Sequence, residues 1–254
     1  FYIFVISHLI FWTLIPSLTN HNLPLDTIEA LAWGSNIDWG FNKHPPFSAF
    51  AVEFFYKIFG NQDWAFYLLS QIFVILGFMA VFKLASEFFE NDHLAFLSVI
   101  LLEGIFFFNY TSPEFNVNVS QLPFWALSVY FTWRIVKYNK YSDILLLGLF
   151  LALGLLSKYL FIYLIFGIYL LFVFLIRKRK IKFYKIFFVS LIALMIISPH
   201  IIWLFKNDFV TITYGFQRTG IDKSLTNHFV FPIIFIFKQV GILLPFLLMS
   251  FFLL

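Results

Sequence analysis

The sequence predicts an all-α protein, a polytopic bundle of transmembrane helices with about eight spans. Three observations predict it. Of 254 residues, 61% are hydrophobic and only 12% charged, about half the roughly 25% charge of a soluble domain. Mean hydropathy is +0.89. The apolar residues also gather in runs close to the ~20 residues that cross a bilayer as a helix, without the short alternating segments of a transmembrane barrel. A soluble globular domain and a disordered chain are thereby excluded. The net charge of +4 is not a nucleic-acid footprint, because it is concentrated in Arg177-Lys178-Arg179-Lys180 with Lys182 and Lys185. With no cysteine, disulfides are impossible and the redox compartment cannot be read.

The expected spans follow in order. Residues 1–18 form the first, a retained helix without a cleavage-like site. Residues 19–63 are a polar loop with amphipathic pieces: the spacing of Ile28, Leu31 and Ala32, and of Phe47, Phe50, Phe54 and Ile58, predicts short helices over 26–39 and 47–59 lying on the membrane plane. Spans two, three and four cover 64–85, 94–110 and 120–136. A single helix over 144–176 would be about 50 Å long against a core of about 30 Å, so two short spans hinged at Ser157-Lys158 are expected. A seventh covers 186–205, a polar segment covers 206–228, and an eighth opens at Phe229. The first residue is not methionine and the chain stops inside an apolar run, so a single transmembrane domain over 1–254, truncated at both ends, is expected.

Charge orients the spans. Lys137 and Lys140 on one side of the 144–176 stretch, and the Arg177 to Lys185 cluster on the other, belong in the cytoplasm by the positive-inside rule. Parity then places loops 19–63, 111–119, Ser157-Lys158 and 206–228 outside, with most of the acids: Asp26, Glu29, Asp38, Glu53, Asp63, Glu114, Asp208 and Asp222. Any chemistry is expected on that outer face. The basic cluster itself is topological, its alternative role being attraction of anionic headgroups.

The first outer loop is the richest stretch. In Leu25-Asp26-Thr27-Ile28-Glu29-Ala30-Leu31-Ala32-Trp33-Gly34, Asp26 follows Pro24, where a helix can start, and Glu29 shares its face. A carboxylate there either caps the helix or acts as a general base. In Asp38-Trp39-Gly40-Phe41-Asn42-Lys43-His44-Pro45-Pro46, Lys43 and His44 are either interfacial anchors or the cations of an anion pocket. His44 has no HxxH or HxxE partner to make a metal site.

These two strings, Leu-Asp-x-x-Glu-Ala-Leu-x-Trp-Gly and Asp-Trp-Gly-Phe-x-Lys-His-Pro-Pro, resemble the first periplasmic loop of bacterial polyprenyl-phosphate-sugar-dependent glycosyltransferases. Those enzymes belong to the GT-C superfamily with the protein O-mannosyltransferases and the lipid A aminoarabinose transferase. Thr111-Ser112-Pro113-Glu114-Phe115-Asn116, Leu156-Ser157-Lys158-Tyr159 and Ser198-Pro199-His200-Ile201-Ile202-Trp203, leading to Asn207-Asp208, look similar too. The resemblance implies an inverting transfer from a lipid-phosphate sugar to a hydroxyl of a glycolipid, lipopolysaccharide or protein, at a bacterial inner membrane with its site facing the periplasm or cell exterior. It implies Asp26 as general base and Glu114 as the second acidic position. Either Lys43 or His44 contacts the donor phosphate. Some relatives carry Glu where this chain has Asn42, so no metal contact is carried over, and no cofactor is called for.

The chemistry suits these residues independently. Displacing a polyprenyl phosphate needs a base, cations for the departing phosphate and an in-line sugar. Asp26, with Glu29 beside it, supplies the first. Lys43 with Arg218 or Lys158 supplies the second, although snorkelling also explains Lys158 and a solvated loop explains Arg218. The aromatic rings of Trp33 and Trp39 supply the third. Glu103, an acid inside the third span, is expected either to line the cavity or to be a hydrogen-bonded structural group. The absence of a nucleotide-binding glycine motif agrees with a lipid-linked donor. The rival class, a lipid or sugar transporter, suits an intramembrane acid but lacks paired broken helices in matching halves.

Overall fold

The computed structural model describes residues 1–219 and 225–253, and within them the chain is helical without strands. Helix α1 (Tyr2–Thr19) is followed by α2 (Leu25–Gly34) and α3 (Phe47–Phe59), then α4 (Asp63–Ala85) and α5 (Asp92–Ile100). Two 3-10 turns (Leu101–Gly104, Phe106–Phe108) lead to α6 (Val117–Tyr138) and α7 (Tyr141–Ser157). A 3-10 turn (Tyr159–Phe161) opens α8 (Ile162–Arg177), and α9 (Phe183–Lys206), α10 (Val210–Thr219) and α11 (Leu225–Leu253) complete the order.

In space α1 packs on α4, α4 on α6, α6 on α7 and α7 on α9, while α8 touches its neighbours lightly and α11 rests on the first 3-10 turn. The two main cores are aromatic and aliphatic, one around Phe66, Phe78 and Phe115, the other around Leu147, Phe161 and Phe172. Ser70, Gln71, Ser120, Ser128 and Ser157 are fully buried between helices while rows of Phe, Ile and Leu face outward. That inversion is expected where the solvent is hydrocarbon, since lipid gives apolar side chains no reason to hide and small residues let helices approach.

Among the described residues five helical segments are long and apolar enough to cross a membrane: α1, α4, α8 with its preceding turn, α9 and α11. The count of eight is not reached by these criteria. The third expected span, 94–110, is a nine-residue α-helix that breaks into 3-10 turns. Beyond the break the Asn109 amide donates to the Glu103 main-chain carbonyl at 2.7 Å, taking an acceptor that a resumed helix would use. The 144–176 stretch divides as expected, with α7 ending at Ser157 and Lys158 extended at φ −158°, ψ 134°.

The first loop is built rather than slack. Helix α3 has the expected bounds, whereas α2 stops at Gly34 and residues 37–40 are irregular instead of helical. Ile28, Phe54 and Ile58 are exposed, and the inward faces are Thr27 and Ala30 on α2 and Ser48, Ala49 and Val52 on α3. Gly220 through Ser224, including Asp222, lie outside the described residues.

Contacts sort the connections to two ends. Loops 19–63, 111–119, Ser157-Lys158 and α10 meet at one end, through Asp26 with Glu114, Lys158 with Asn118, and Thr211 with Phe41. The opposite end holds Arg134 with Asp143, Lys137 with Glu87, and Tyr141 against Tyr184. The cysteine-free background makes labelling of each end clean. Ser35→Cys should react with a membrane-impermeant maleimide in intact cells, and Lys178→Cys only after permeabilisation. The reverse pattern would place the acidic end inside the cell.

Candidate functional site

The site grows from the junction of α2 with the N-terminus of α6. Pro24 precedes the first turn of α2, and Asp26 lies in that turn, where the helix dipole favours an acid. Three bonds tie α2 to the 114–116 segment. The Asp26 main-chain N–H donates to Glu114 Oε1 at 3.1 Å, the buried Thr27 hydroxyl donates to the Phe115 carbonyl at 3.2 Å, and Asn116 Nδ2 donates to Asp26 Oδ2 at 3.3 Å. Asn116 Nδ2 also lies 3.5 Å from Glu114 Oε2.

Asn116 is held in this orientation by its second job. It is the N-cap of α6, and its Oδ1 accepts from the main-chain N–H groups of Asn118 and Val119 at 2.9 and 3.2 Å. The oxygen of the amide is committed to the helix, so the nitrogen must face the carboxylates. Glu114, for its part, satisfies one of the free N–H groups at the start of α2. Among the described residues no hydrogen bond is made by Asp26 Oδ1.

One turn along α2, Glu29 pairs with Lys43. That hydrogen bond holds the Lys43 ammonium above its ordinary pKa against the opposing effect of burial, with the charges of Glu29, Tyr214 and Asp26 adding to it. His44 is enclosed: Trp33 stacks on Phe41 and meets the His44 ring edge-on at 5.9 Å. Burial pushes the His44 imidazole below its ordinary pKa of 6.5, helped by Lys158 and opposed by Glu29 and Asp26. His44 is therefore neutral at neutral pH, and Lys43 is the cation of the pair. Asp26, Glu29, Trp33, His44 and Asn116 line one narrow crevice.

Lys158 arrives through the break after α7. The turn is tight because the Phe161 ring packs onto Gly154, where an added Cβ would lie 2.3 Å from the ring. Lys158 Nζ donates to Asn118 Oδ1. Burial pushes its pKa down, Arg218 adds to that, and Asp26 opposes it. Arg218, expected in a flexible loop, instead stands exposed in the last turn of α10.

The middle of the first loop is clamped to α9 and α10. Trp203 Nε1 donates to Asp38 Oδ2 at 2.7 Å, and the Thr211 hydroxyl donates to the Phe41 carbonyl. His200 Nδ1 donates to the Trp39 carbonyl, which fixes the tautomer, so Nε2 accepts from the Tyr159 hydroxyl at 2.7 Å. Gly40 lies flat on Trp203, and a Cβ there would stand 2.4 Å from the indole. Trp39 turns its ring outward onto Phe50, away from the carboxylates.

Glu103 also stands apart. Its Oε1 lies 2.8 Å from the Nδ1 of the buried His8 on α1, in a separate cleft lined by Phe4, Ser7, Phe11 and Trp12. Asn109 joins it at Oε2.

A cavity of about 470 Å³ gathers the first group. Asp26, Glu114, Asn116, Asn118 and Gln121 form its polar wall, and Ile105, Phe107, Phe108, Val119 and Leu122 its apolar one. A second cleft of about 400 Å³ reaches Glu114 from the side of α1, between Trp12 and Tyr110. The three amides Asn116, Asn118 and Gln121 were not singled out from the sequence as site residues. Their signal was a cluster of polar side chains at the N-terminus of a predominantly apolar helix.

A family model described as dolichyl-phosphate-mannose-protein mannosyltransferase matches residues 43–203. The match spans more than half of the chain, which belongs to this family and is a membrane glycosyltransferase of GT-C type. It includes Lys43, His44, Glu114 and Lys158, while Asp26 and Glu29 precede it. No curated protein and no solved structure matches the chain.

The double use of Asn116 is separable by substitution. Asn116→Ala should lose the cap at a cost of about 0.5–2 kcal/mol, measured as lowered thermal stability in detergent. Asn116→Asp should restore that stability, because an aspartate accepts from the same main-chain N–H groups. Equal stability of all three proteins would remove the capping role.

Proposed function

We propose that this family member transfers a sugar from a polyprenyl-phosphate donor to a hydroxyl acceptor on the outer face of the membrane, with inversion at the anomeric carbon. One observation carries the reading. Asp26 and Glu114 share a single cavity whose other wall is apolar, as a reaction between a lipid-borne donor and a proton-losing acceptor requires.

Asp26 is the general base, with one carboxylate oxygen oriented by Asn116. It takes the acceptor proton as the acceptor oxygen bonds to the anomeric carbon. The bond from that carbon to the phosphate oxygen breaks, and polyprenyl phosphate leaves with the electron pair. Lys43, Lys158 and Arg218 are the cations that stabilise the departing phosphate. Lys43 exchanges Glu29 for the phosphate, and His44, neutral between Trp33 and the loop, shapes the crevice. Ile105, Phe107, Phe108, Val119 and Leu122 receive the first part of the prenyl chain. Glu29 sets Lys43 in place, while Glu114 holds the start of α2 and so positions the base. Trp33 stiffens the loop, and Trp39 and Glu103 act away from the reacting atoms. The surrounding compartment is a bacterial plasma membrane, and the acceptor is a glycolipid, lipopolysaccharide or protein hydroxyl.

Asp26→Asn should lower transfer from defined polyprenyl-phosphate sugars by about 10²–10⁴ while the protein stays folded, since the amide keeps the shape and loses the basicity. Full turnover in that variant would move the base elsewhere. Lys43→Ala should raise the donor KM, whereas His44→Gln at neutral pH should leave it nearly unchanged, because the wild-type imidazole carries no charge there. A matching KM increase in both variants would contradict the assignment of Lys43 as the phosphate contact.

A further inference from the structure

The end of the bundle opposite the carboxylates carries a second cavity, of about 460 Å³, in the size range of ligand pockets. It lies between α8 on one side and the ends of α4 and α6 on the other. Its walls are nearly all apolar, with Leu84, Phe88, Val136, Leu164, Leu171 and Leu175 among them. Lys180 is the charged residue that lines it.

Two features make this a built slot. Gly167 leaves it open, because a Cβ added there would meet nothing within 4 Å, although the rest of α8 is bulky and apolar. Lys180 is also held on a fixed backbone. Arg179 adopts φ 56°, and the N–H groups of Arg179 and Lys180 close back onto the carbonyls of Ile176 and Leu175 at 2.8 and 2.9 Å. This left-handed helix stop pins Lys180 over Leu175, which lines the same slot.

Charge chooses the occupant. Arg177, Lys178, Arg179 and Lys180 stand exposed where α8 ends, and Glu87, next to the slot-lining Phe88, is already taken by Lys137 and Tyr138 at 2.8 and 2.7 Å. An apolar slot ending on a lysine within a basic run matches an anionic lipid. We propose that the slot between α6 and α8 binds an anionic phospholipid of the surrounding bilayer, one acyl chain lying along Gly167 and the phosphate on Lys180. The site is separate from the sugar-transfer cavity.

Trp133 lines the slot, so it reports on occupancy. The protein would be placed in nanodiscs containing brominated phosphatidylglycerol or brominated phosphatidylcholine of the same chains, and Trp133→Phe would isolate the Trp133 emission. Phosphatidylglycerol should reach half-maximal quenching of that emission at a severalfold lower mole fraction than phosphatidylcholine, about fivefold lower for each cation engaged. Lys180→Glu should abolish the preference, and Gly167→Leu should abolish Trp133 quenching by both lipids, with circular dichroism confirming that both variants remain folded. Equal quenching by the two lipids in the wild type would mean unselective contact with bulk lipid and would overturn the proposal. Unchanged quenching in folded Gly167→Leu would overturn it too.

Discussion

The acidic end of this protein depends on one side chain with two incompatible ends. The oxygen of the Asn116 amide caps α6 and its nitrogen bridges Asp26 and Glu114. Because a helix start needs an acceptor, the amide cannot turn over without exposing two main-chain donors, so it presents N–H to the carboxylates permanently. Two acids from distant parts of the chain can then share one cavity without direct repulsion fixing their distance. Glu114 strengthens the arrangement by accepting from the Asp26 N–H, so that the start of α2 is completed by a residue from the segment leading into α6.

Around this junction, rigidity is supplied by the first loop's attachment to α9 and α10. Asp38, Trp39 and Phe41 are held by Trp203, His200 and Thr211, and Gly40 permits the close approach to the indole. The loop that carries Lys43 and His44 is thus fixed at its middle, far along the sequence from the helices that hold it. Cations meet the same region from three directions, Lys43 from the loop, Lys158 from the break after α7, and Arg218 from the end of α10. Arg218 acts on Lys158, and Lys158 and Lys43 act on His44, as expected of charges held close together.

Much of this was legible in the sequence, for reasons that can be named. Hydropathy located the long helices, length required the break at Ser157-Lys158, and the first-loop string singled out Asp26 while the family resemblance pointed to Glu114, which lines the same cavity. What was not legible depends on side chains acting on the backbone or on which way a helix turns. The third span reads as continuous apolar sequence, yet the helix stops at Ile100 and the 3-10 turns beyond it are bridged by Asn109 on the Glu103 carbonyl. Glu103 was expected either at the cavity or as a buried partner, and hydropathy cannot say that it turns toward His8. Arg218 follows a glycine and precedes another, which reads as a loop, but α10 continues through it. The role of Asn116 was hidden because a cap and a site residue look the same in sequence.

The most direct test is a double-mutant cycle on transfer rate with Asp26→Asn, Glu114→Gln and both together. If Asp26 is the base and Glu114 acts by holding it, the pair is a unit and its losses do not add. The double variant should then be about as slow as Asp26→Asn alone, with Glu114→Gln less severe. Strictly additive losses would place the two carboxylates in independent roles and contradict the account, as would a Glu114→Gln variant that is inactive while Asp26→Asn turns over normally.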